Sequence, residues 1–515
     1  MTGAECLLRT LTAHGVAVCF MNPGTSEMQF VSALDRVPAM RGVLCLHEGV
    51  CSGAADGYAR MLRRPAATLL HLGPGLANAL SNFHNARKAR SPAVNVVGEH
   101  STAHLRYEAP LTSGIQAFAK PVSAWVRTLR TPEEMGPLAA QAIAAATAPP
   151  GGVATLIVPA DFSWSPAGPP GRRLPAKPRP RPDSAAVDAA ARLLLESPAT
   201  TALLLGGEAL LEAGLGAAAR IHAATGARVY ANRYAARLPR GRGTGSPARV
   251  PYFPEPASAL LQGLATLILV DSPPPVSFFG YPGRRSLLTP EDCRFHTLAS
   301  EAQDGAAALE ALAAAIHAPP ALRARPARKP RVPASGALTP ESMGAALAAL
   351  LPEGAIVSDE MISSGEAVNA RLSAAAPHDL LPVTGGSIGQ GLPVALGAAI
   401  ACPERKVVCL EADGSAMYSL QALWTMAREN LDVLTVIFAN RRYRILDIEM
   451  ARTGAGPAGP RADAMSDLSR PALDWTALAR GHGVEAARAA DLPTFLRLLR
   501  AALARRGPFL IEAQL

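Results

Sequence analysis

Three α/β domains built on doubly wound parallel sheets are the architecture this sequence predicts, and three observations predict it. β-type apolar runs alternate with Ala-rich helical patterns along most of the chain. Those runs end in Gly, Pro, Asp, Asn or His turns, the carboxyl-end positions at which open α/β sheets bind ligands. Two Pro-rich basic stretches, 166–183 and 319–333, interrupt the alternation, because proline removes a backbone donor and fixes φ. Read as linkers, they divide the 515 residues into segments 1–165, 184–318 and 334–515.

In the first segment, Val16 to Met21, Val43 to Leu46, Thr68 to Leu72 and Ala93 to Val97 read as strands. Three strand ends carry chemistry: NPGTSE at 22–27, HEG at 47–49 and HLGPG at 71–75. Gly and Pro at such ends let backbone approach a bound group. Glu48 follows the buried-looking strand GVLCL and precedes the small-residue helix VCSGAADGYAR. A carboxyl in that setting is expected to have a raised pKa and to hold a proton near neutrality. Taken alone, Glu48 reads more simply as a helix first-turn charge. His100 and His104, in GEHSTAH, read as surface residues.

The middle segment carries strands TALLLGG (201–207) and TLILVDS (266–272), with a helix from Glu208 to Thr225. Gly206-Gly207 is too little for a flavin phosphate loop, and GRGTGS (241–246) opens no helix, so FAD is not expected.

The last segment opens with AIVSDEMISSGEA and the Gly-rich turn GGSIGQGLPVALGAAIA (385–401). Its densest stretch is 405–446. A strand breaks at Asp413-Gly414-Ser415, a helix follows with Leu420, Leu423, Trp424 and Ala427 on one face, and a second strand ends at Asn440. Neighbouring parallel strands would bring Asp413 and Asn440 together. One carboxylate, one amide oxygen and a loop carbonyl suit a Mg²⁺ that takes further ligands from phosphates. An ordinary βαβ unit with Asp as helix cap is the simpler reading of the DG pair in isolation. Residues 454–470, rich in Gly and Pro, read as a mobile lid.

The stretch DGSAMYSLQALWTMAREN, followed by a strand and then N-x-x-Y (Asn440 to Tyr443), resembles thiamine diphosphate-dependent enzymes of the acetolactate synthase-like family, and most of all the benzoylformate decarboxylases within it. HEG…AADGYAR and LLHLGPGLANALSN resemble the same family. One departure is Ala412, where the family has a glycine.

The resemblance implies site residues. Asp413, Asn440 and the carbonyl of Arg442 would hold Mg²⁺. Gly414, Ser415, Ser363 and Tyr443 would lie along the diphosphate, with Glu360 in the same loop as Ser363. Glu48 would hydrogen-bond the aminopyrimidine, the Gly386 carbonyl would face its amino group, and Ile388 would wedge beneath the bent cofactor. His71 would be catalytic. Thr25, Ser26, Ile445, Leu446 and Phe279 would line the substrate. A second active-site histidine of benzoylformate decarboxylase has no counterpart in VSFFGYPGRR (276–285), which offers Phe278, Phe279 and Tyr281. The implied activity is non-oxidative decarboxylation of a 2-oxo acid, with carboligation as a companion. Acetolactate synthase-type transfer and a catalytically silent cofactor-binding paralogue are the alternatives. The implied assembly is a homodimer or homotetramer with sites shared between subunits.

Composition excludes other classes. With 49% hydrophobic and 18% charged residues the chain can bury large cores. Much of its net charge of +9 lies in the two linkers, in Arg172, Arg173, Lys177, Arg179 and Arg181 and in Arg323, Arg325, Arg328, Lys329 and Arg331. No aromatic residue is interleaved with them, so no nucleic-acid partner is expected. Seven cysteines without a CxxC pair, and no apolar run of membrane-spanning length, point to a reducing cytoplasm and no membrane.

Overall fold

The computed structural model describes residues 1–320, 328–332 and 335–515. Arg323 and Arg325 of the second linker, and the expected domain start at 334, lie outside the described residues.

Three sheets form the frame. The first contains β1 (Val18–Asn22), β2 (Arg41–Leu44), β3 (Ala66–Leu70), β4 (Ala93–Glu99), β5 (Trp125–Thr128) and β6 (Val153–Pro159), in the order β2-β1-β3-β4-β6-β5. All its pairings are parallel. The four expected strands are present within a few residues, and β5 and β6 complete the sheet. The register sets Asn22 opposite Leu70 and Leu70 opposite Val97, so Asn22, His71 and His100 all belong to the carboxyl edge.

The second sheet joins β7 (Thr201–Leu205), β8 (Arg228–Ala231), β10 (Ala248–Arg249), β11 (Thr266–Val270) and β12 (Arg294–Ala299), in the order β10-β8-β7-β11-β12. The chain winds one way from β7 to β8 and the other way to β11, which makes the β7/β11 boundary the switch point.

The third sheet contains β13 (Ala355–Glu360), β14 (His378–Pro382), β15 (Val407–Ala412), β16 (Val433–Ala439), β17 (Glu485–Ala489) and β18 (Phe509–Gln514). Its order is β17-β18-β16-β15-β13-β14-β9. The outermost strand, β9 (Leu238–Arg240), comes from the middle segment and pairs antiparallel with β14. The three-way division of the sequence is therefore crossed by one strand.

Two helices bring the first and third domains together. The Glu48 helix (Glu48–Leu62) crosses helix Gly391–Ala401 at backbone contact. A Cβ at Gly57 would overlap the Val394 carbonyl, and one at Gly397 would overlap the Ala54 carbonyl, so only glycine permits the crossing. Arg60 reinforces the junction. It grips Asp56 through Nε (2.8 Å) and Nη2 (2.5 Å) and donates to the Pro382 carbonyl (2.8 Å) and Thr384 Oγ1 (2.9 Å). Both partners of this ion pair are fully buried, so removing either would strand a charge. Among the described residues, no helix is long and apolar enough to cross a membrane.

Candidate active site

Two polar clusters occupy strand ends. The first lies on the carboxyl edge of the N-terminal sheet. His47 caps the Glu48 helix, its Nδ1 accepting the Gly49 N–H at 3.0 Å. Glu48 itself is 8% exposed and receives one amide N–H from Asn22 and one from Asn78, both at 3.0 Å. Asn22 ends β1, and Asn78 sits one turn into the helix Leu72–Ala89, so three elements aim at one carboxylate.

His71 caps that second helix and pairs through Nδ1 with Glu27 Oε2 at 2.8 Å. Glu27 Oε2 also accepts the Gly24 N–H at 2.8 Å, while its other oxygen, buried against Gly98, has no partner among the described residues. Burial pushes the Glu27 carboxyl above the usual carboxylate range, against the pull of the Gly24 N–H and His71. Sequence reasoning missed Glu27. Its place in T-S-E after NPG has the form of a helix-start carboxylate, and it does brace that turn. Only the fold brings His71 to it. Thr25 is exposed and Ser26 half-buried on the same short turn. His100 ends the strand next to His71 but pairs with neither residue; its ring lies 5.3 Å from that of His104.

The second cluster lies on the C-terminal sheet. Ala412 pairs with Phe438 across β15 and β16, which sets Asp413 beside Asn440 as expected. Asp413 is 2% exposed; its oxygens accept the N–H of Gly414 (2.9 Å) and of Arg441 (2.6 Å). Burial raises its carboxyl to about 6, against the pull of those N–H groups. Asn440 Oδ1 accepts the Arg442 N–H at 3.0 Å. Ser415 is buried in the short helical turn Asp413–Ala416. The Tyr443 hydroxyl reaches the Gly414 carbonyl at 3.4 Å, and its ring fills the space a side chain at Gly414 would need.

The Gly-rich turn stands between the clusters. Gly386 has φ +79°, a left-handed conformation that glycine allows. The turn is held from the N-terminal domain by Asn85, which donates to the Ser387 carbonyl (2.7 Å), and by His84 against the Gly385 carbonyl (3.0 Å). From below, Glu360 accepts the N–H of Gly389 (2.7 Å) and of Gly391 (2.5 Å). Burial lifts Glu360 to about 7 and Glu411, packed beside it, well above the carboxylate range. Glu360 thus supports the turn, while Ser363 is half-buried nearby in the turn Ile362–Ser364. Ile388 is half-buried in the turn.

The middle domain contributes Phe278, whose ring occupies the space beside Gly386 that a Cβ would take. Phe279 lies 4.8 Å from the Phe278 ring, centroid to centroid, and is 51% exposed. Tyr281 donates to Glu449 at 2.9 Å, tying this loop to helix Arg444–Thr453, which bears Ile445 and the exposed Leu446. Within stretch 454–470, Asp463 pairs with Arg442, and the Ser466 carbonyl accepts the Tyr443 N–H at 2.8 Å. No hydrogen bond among the described residues joins the Glu48–His71 cluster directly to the Asp413–Asn440 cluster.

The comparisons fit this layout. Residues 1–121 match the model of the thiamine pyrophosphate enzyme N-terminal TPP binding domain, and residues 365–513 match that of the C-terminal TPP binding domain. The chain is 48% identical over 513 residues to a Mycobacterium tuberculosis H37Rv protein provisionally named acetolactate synthase large subunit IlvX, covering 99% of this chain and 98% of that one. It is 30% identical to benzoylformate decarboxylase of Pseudomonas aeruginosa PAO1, covering 98% and 96%. The structure of the thiamine diphosphate-dependent 4-hydroxybenzoylformate decarboxylase of Rhodococcus jostii RHA1 superposes with a TM-score of 0.87 at 25% identity, covering 100% and 99%. Both family models fall on the sheets that carry the two polar clusters, and the similarity to decarboxylases and synthases runs the length of the chain. The chain belongs to the thiamine diphosphate-dependent enzymes, in the family of the acetolactate synthases and benzoylformate decarboxylases.

Proposed function

We propose that this enzyme decarboxylates a 2-oxo acid without oxidation and also ligates the product to an aldehyde. The observation that carries the reading is the pair of strand-end clusters: a buried Glu48 held by two amides, and Asp413 beside Asn440. The second donor set fits a hard cation. Asp413 supplies carboxylate, Asn440 an amide oxygen and Arg442 a main-chain carbonyl, which suits Mg²⁺ completed by phosphates and water. When bound, thiamine diphosphate supplies the nucleophilic carbon and the electron sink.

The chain's own residues do the rest. Glu48 would hydrogen-bond the aminopyrimidine ring nitrogen, with Asn22 and Asn78 fixing its orientation. The Gly386 carbonyl would accept from the pyrimidine amino group, and Ile388 would support the cofactor from beneath. Gly414, Ser415, Ser363 and Tyr443 would hold the diphosphate. His71, oriented by Glu27, moves a proton at the substrate. Thr25 and Ser26 bind the substrate carboxylate, and Ile445, Leu446 and Phe279 receive its apolar substituent. The family resemblance further supports a homodimer or homotetramer in which the two clusters of one site come from different subunits, in a cytoplasmic setting.

A second reading, acetolactate synthase-type transfer, is favoured by the name of the 48%-identical relative. One experiment separates the two: the enzyme loaded with thiamine diphosphate and Mg²⁺ is incubated with a panel of 2-oxo acids, with and without an added aldehyde, and products are resolved chirally. Aldehyde release, with an acyloin share that grows in His71→Ala, supports the first reading. Exclusive transfer to a second 2-oxo acid supports the other, and absence of turnover on every substrate overturns both.

A further inference from the structure

The middle domain has the architecture of a nucleotide site, and the chain fills it with itself. Its crevice lies where the β7/β11 switch point places bound phosphates in doubly wound sheets. The β7 end is Leu205-Gly206-Gly207, with Gly207 at φ +38°. Across from it, at the end of β11, Asp271 adopts φ +52°, a left-handed conformation costly for a residue with a side chain. That conformation swings its carboxylate into the cradle. Oδ2 accepts the Glu208 N–H at 2.7 Å and occupies the space above Gly207, where a Cβ would overlap it. Arg90 reaches Oδ1 at 3.5 Å and also pairs with Glu301; Arg179 pairs with Glu208. Asp271 is 3% exposed. Backbone N–H, a close-approach glycine and arginines are what a phosphate would meet. A carboxylate already meets them.

We infer that Asp271 is a built-in occupant of the middle domain's anion cradle, closing it to FAD and other nucleotides and fastening the far end of the His71 helix. Arg90 is the C-terminal cap of helix Leu72–Ala89, whose N-terminal cap is His71 and whose second turn carries Asn78. The bond from Arg90 to Asp271 therefore anchors the same helix that presents both groups to the active site. The cradle opens on a cavity of about 1010 Å³, whose lining includes Gly206, Gly207, Glu208 and Asp271 together with Lys177 and Arg233. Removal of the Asp271 carboxylate would widen that opening at Gly207 and leave Arg90 with Glu301 alone.

The inference does not rest on the proposed reaction, and its test is binding. Holoenzyme saturated with thiamine diphosphate and Mg²⁺ is titrated with ADP by calorimetry, so that ADP cannot report on the cofactor site. Wild type is expected to show no saturable binding, and Asp271→Ala to bind ADP at least roughly tenfold more tightly. Asp271→Ser, whose short hydroxyl keeps an acceptor for the Glu208 N–H while leaving room for a phosphate, carries the same expectation if the alanine variant does not fold. Asp271→Asn, which preserves the plug's shape, should stay closed. Saturable ADP or FAD binding by wild type overturns the inference, as does a folded Asp271→Ala that binds no better than wild type.

Discussion

The C-terminal and middle domains each end a central strand in an aspartate that is almost completely buried, Asp413 at 2% exposure and Asp271 at 3%. Burial raises both carboxyls to about 6. Their surroundings differ. Asp413 takes one N–H from its own turn and one from the residue after Asn440, and Asn440 stands beside it. Asp271 instead leans across the crevice onto the backbone of the neighbouring strand end and meets Arg90 there. The same residue at the same topological position is thus proposed to hold a ligand in one sheet and to take the ligand's place in the other. Both carboxylates accept N–H groups; the difference lies in the side chain at hand, Asn440 beside Asp413 and Arg90 beside Asp271.

Three results would break or sharpen that comparison. The largest effect is expected for Asp413→Ala. It should abolish cofactor retention and activity while circular dichroism remains that of the folded protein; tight metal-independent binding of thiamine diphosphate by this variant would undo the assignment.

Next, Glu48→Gln should lose about 10²–10⁴ in rate, the usual worth of a general acid–base group, while still binding Mg²⁺ and cofactor. Mixing inactive Glu48→Gln and Asp413→Ala chains should restore part of the activity, since some sites in a hybrid dimer would combine two intact clusters. Hybrids that form, verified by mass spectrometry, yet never turn over would exclude sharing between subunits.

The smallest effect concerns pH. A carboxyl whose folded pKa is raised stabilises the fold below its unfolded value, near 4, and loses that contribution as pH rises toward 6. For Asp271, wild-type stability should thus decline by ~3 kcal/mol between those limits on this account, at 1.36 kcal/mol per pKa unit. Asp271→Asn should show a flatter profile over that window in denaturant melts, with little change in turnover. Parallel profiles would mean that Asp271 is ionised without strain.

Much of the frame was legible in the sequence because it is local. Strand ends that carry Gly, Asp, Asn and His announce themselves within a few residues, and the clusters around Glu48 and around Asp413 and Asn440 stand where those motifs put them. What escaped depends on distant contacts. Glu27 has the spacing of a helix-capping acid, and nothing near it in sequence reveals that His71, 44 positions on, completes the pair. Asp271 ends a run read only as a strand, and its role exists because a β7 glycine lies across the sheet. Gly206-Gly207 read as too little for a flavin phosphate loop, and only the fold reveals that the Asp271 carboxylate lies over Gly207. Gly57 and Gly397 likewise declare a helix crossing only once both helices are in place.

The short strand β9 has a consequence for anyone dividing this protein. It leaves the middle domain to pair antiparallel along the outer side of β14, whose other side is held by β13. A fragment cut at the two linkers would lose β9 from the C-terminal sheet, bare the ladder groups of the buried strand β14 (HDLLP) and part Asp379 from Arg237 of the middle segment. Uncovered strands of that kind recruit one another. Isolated C-terminal domain should therefore self-associate through that edge, whereas a fragment that carries Leu238–Arg240 along should remain dispersed.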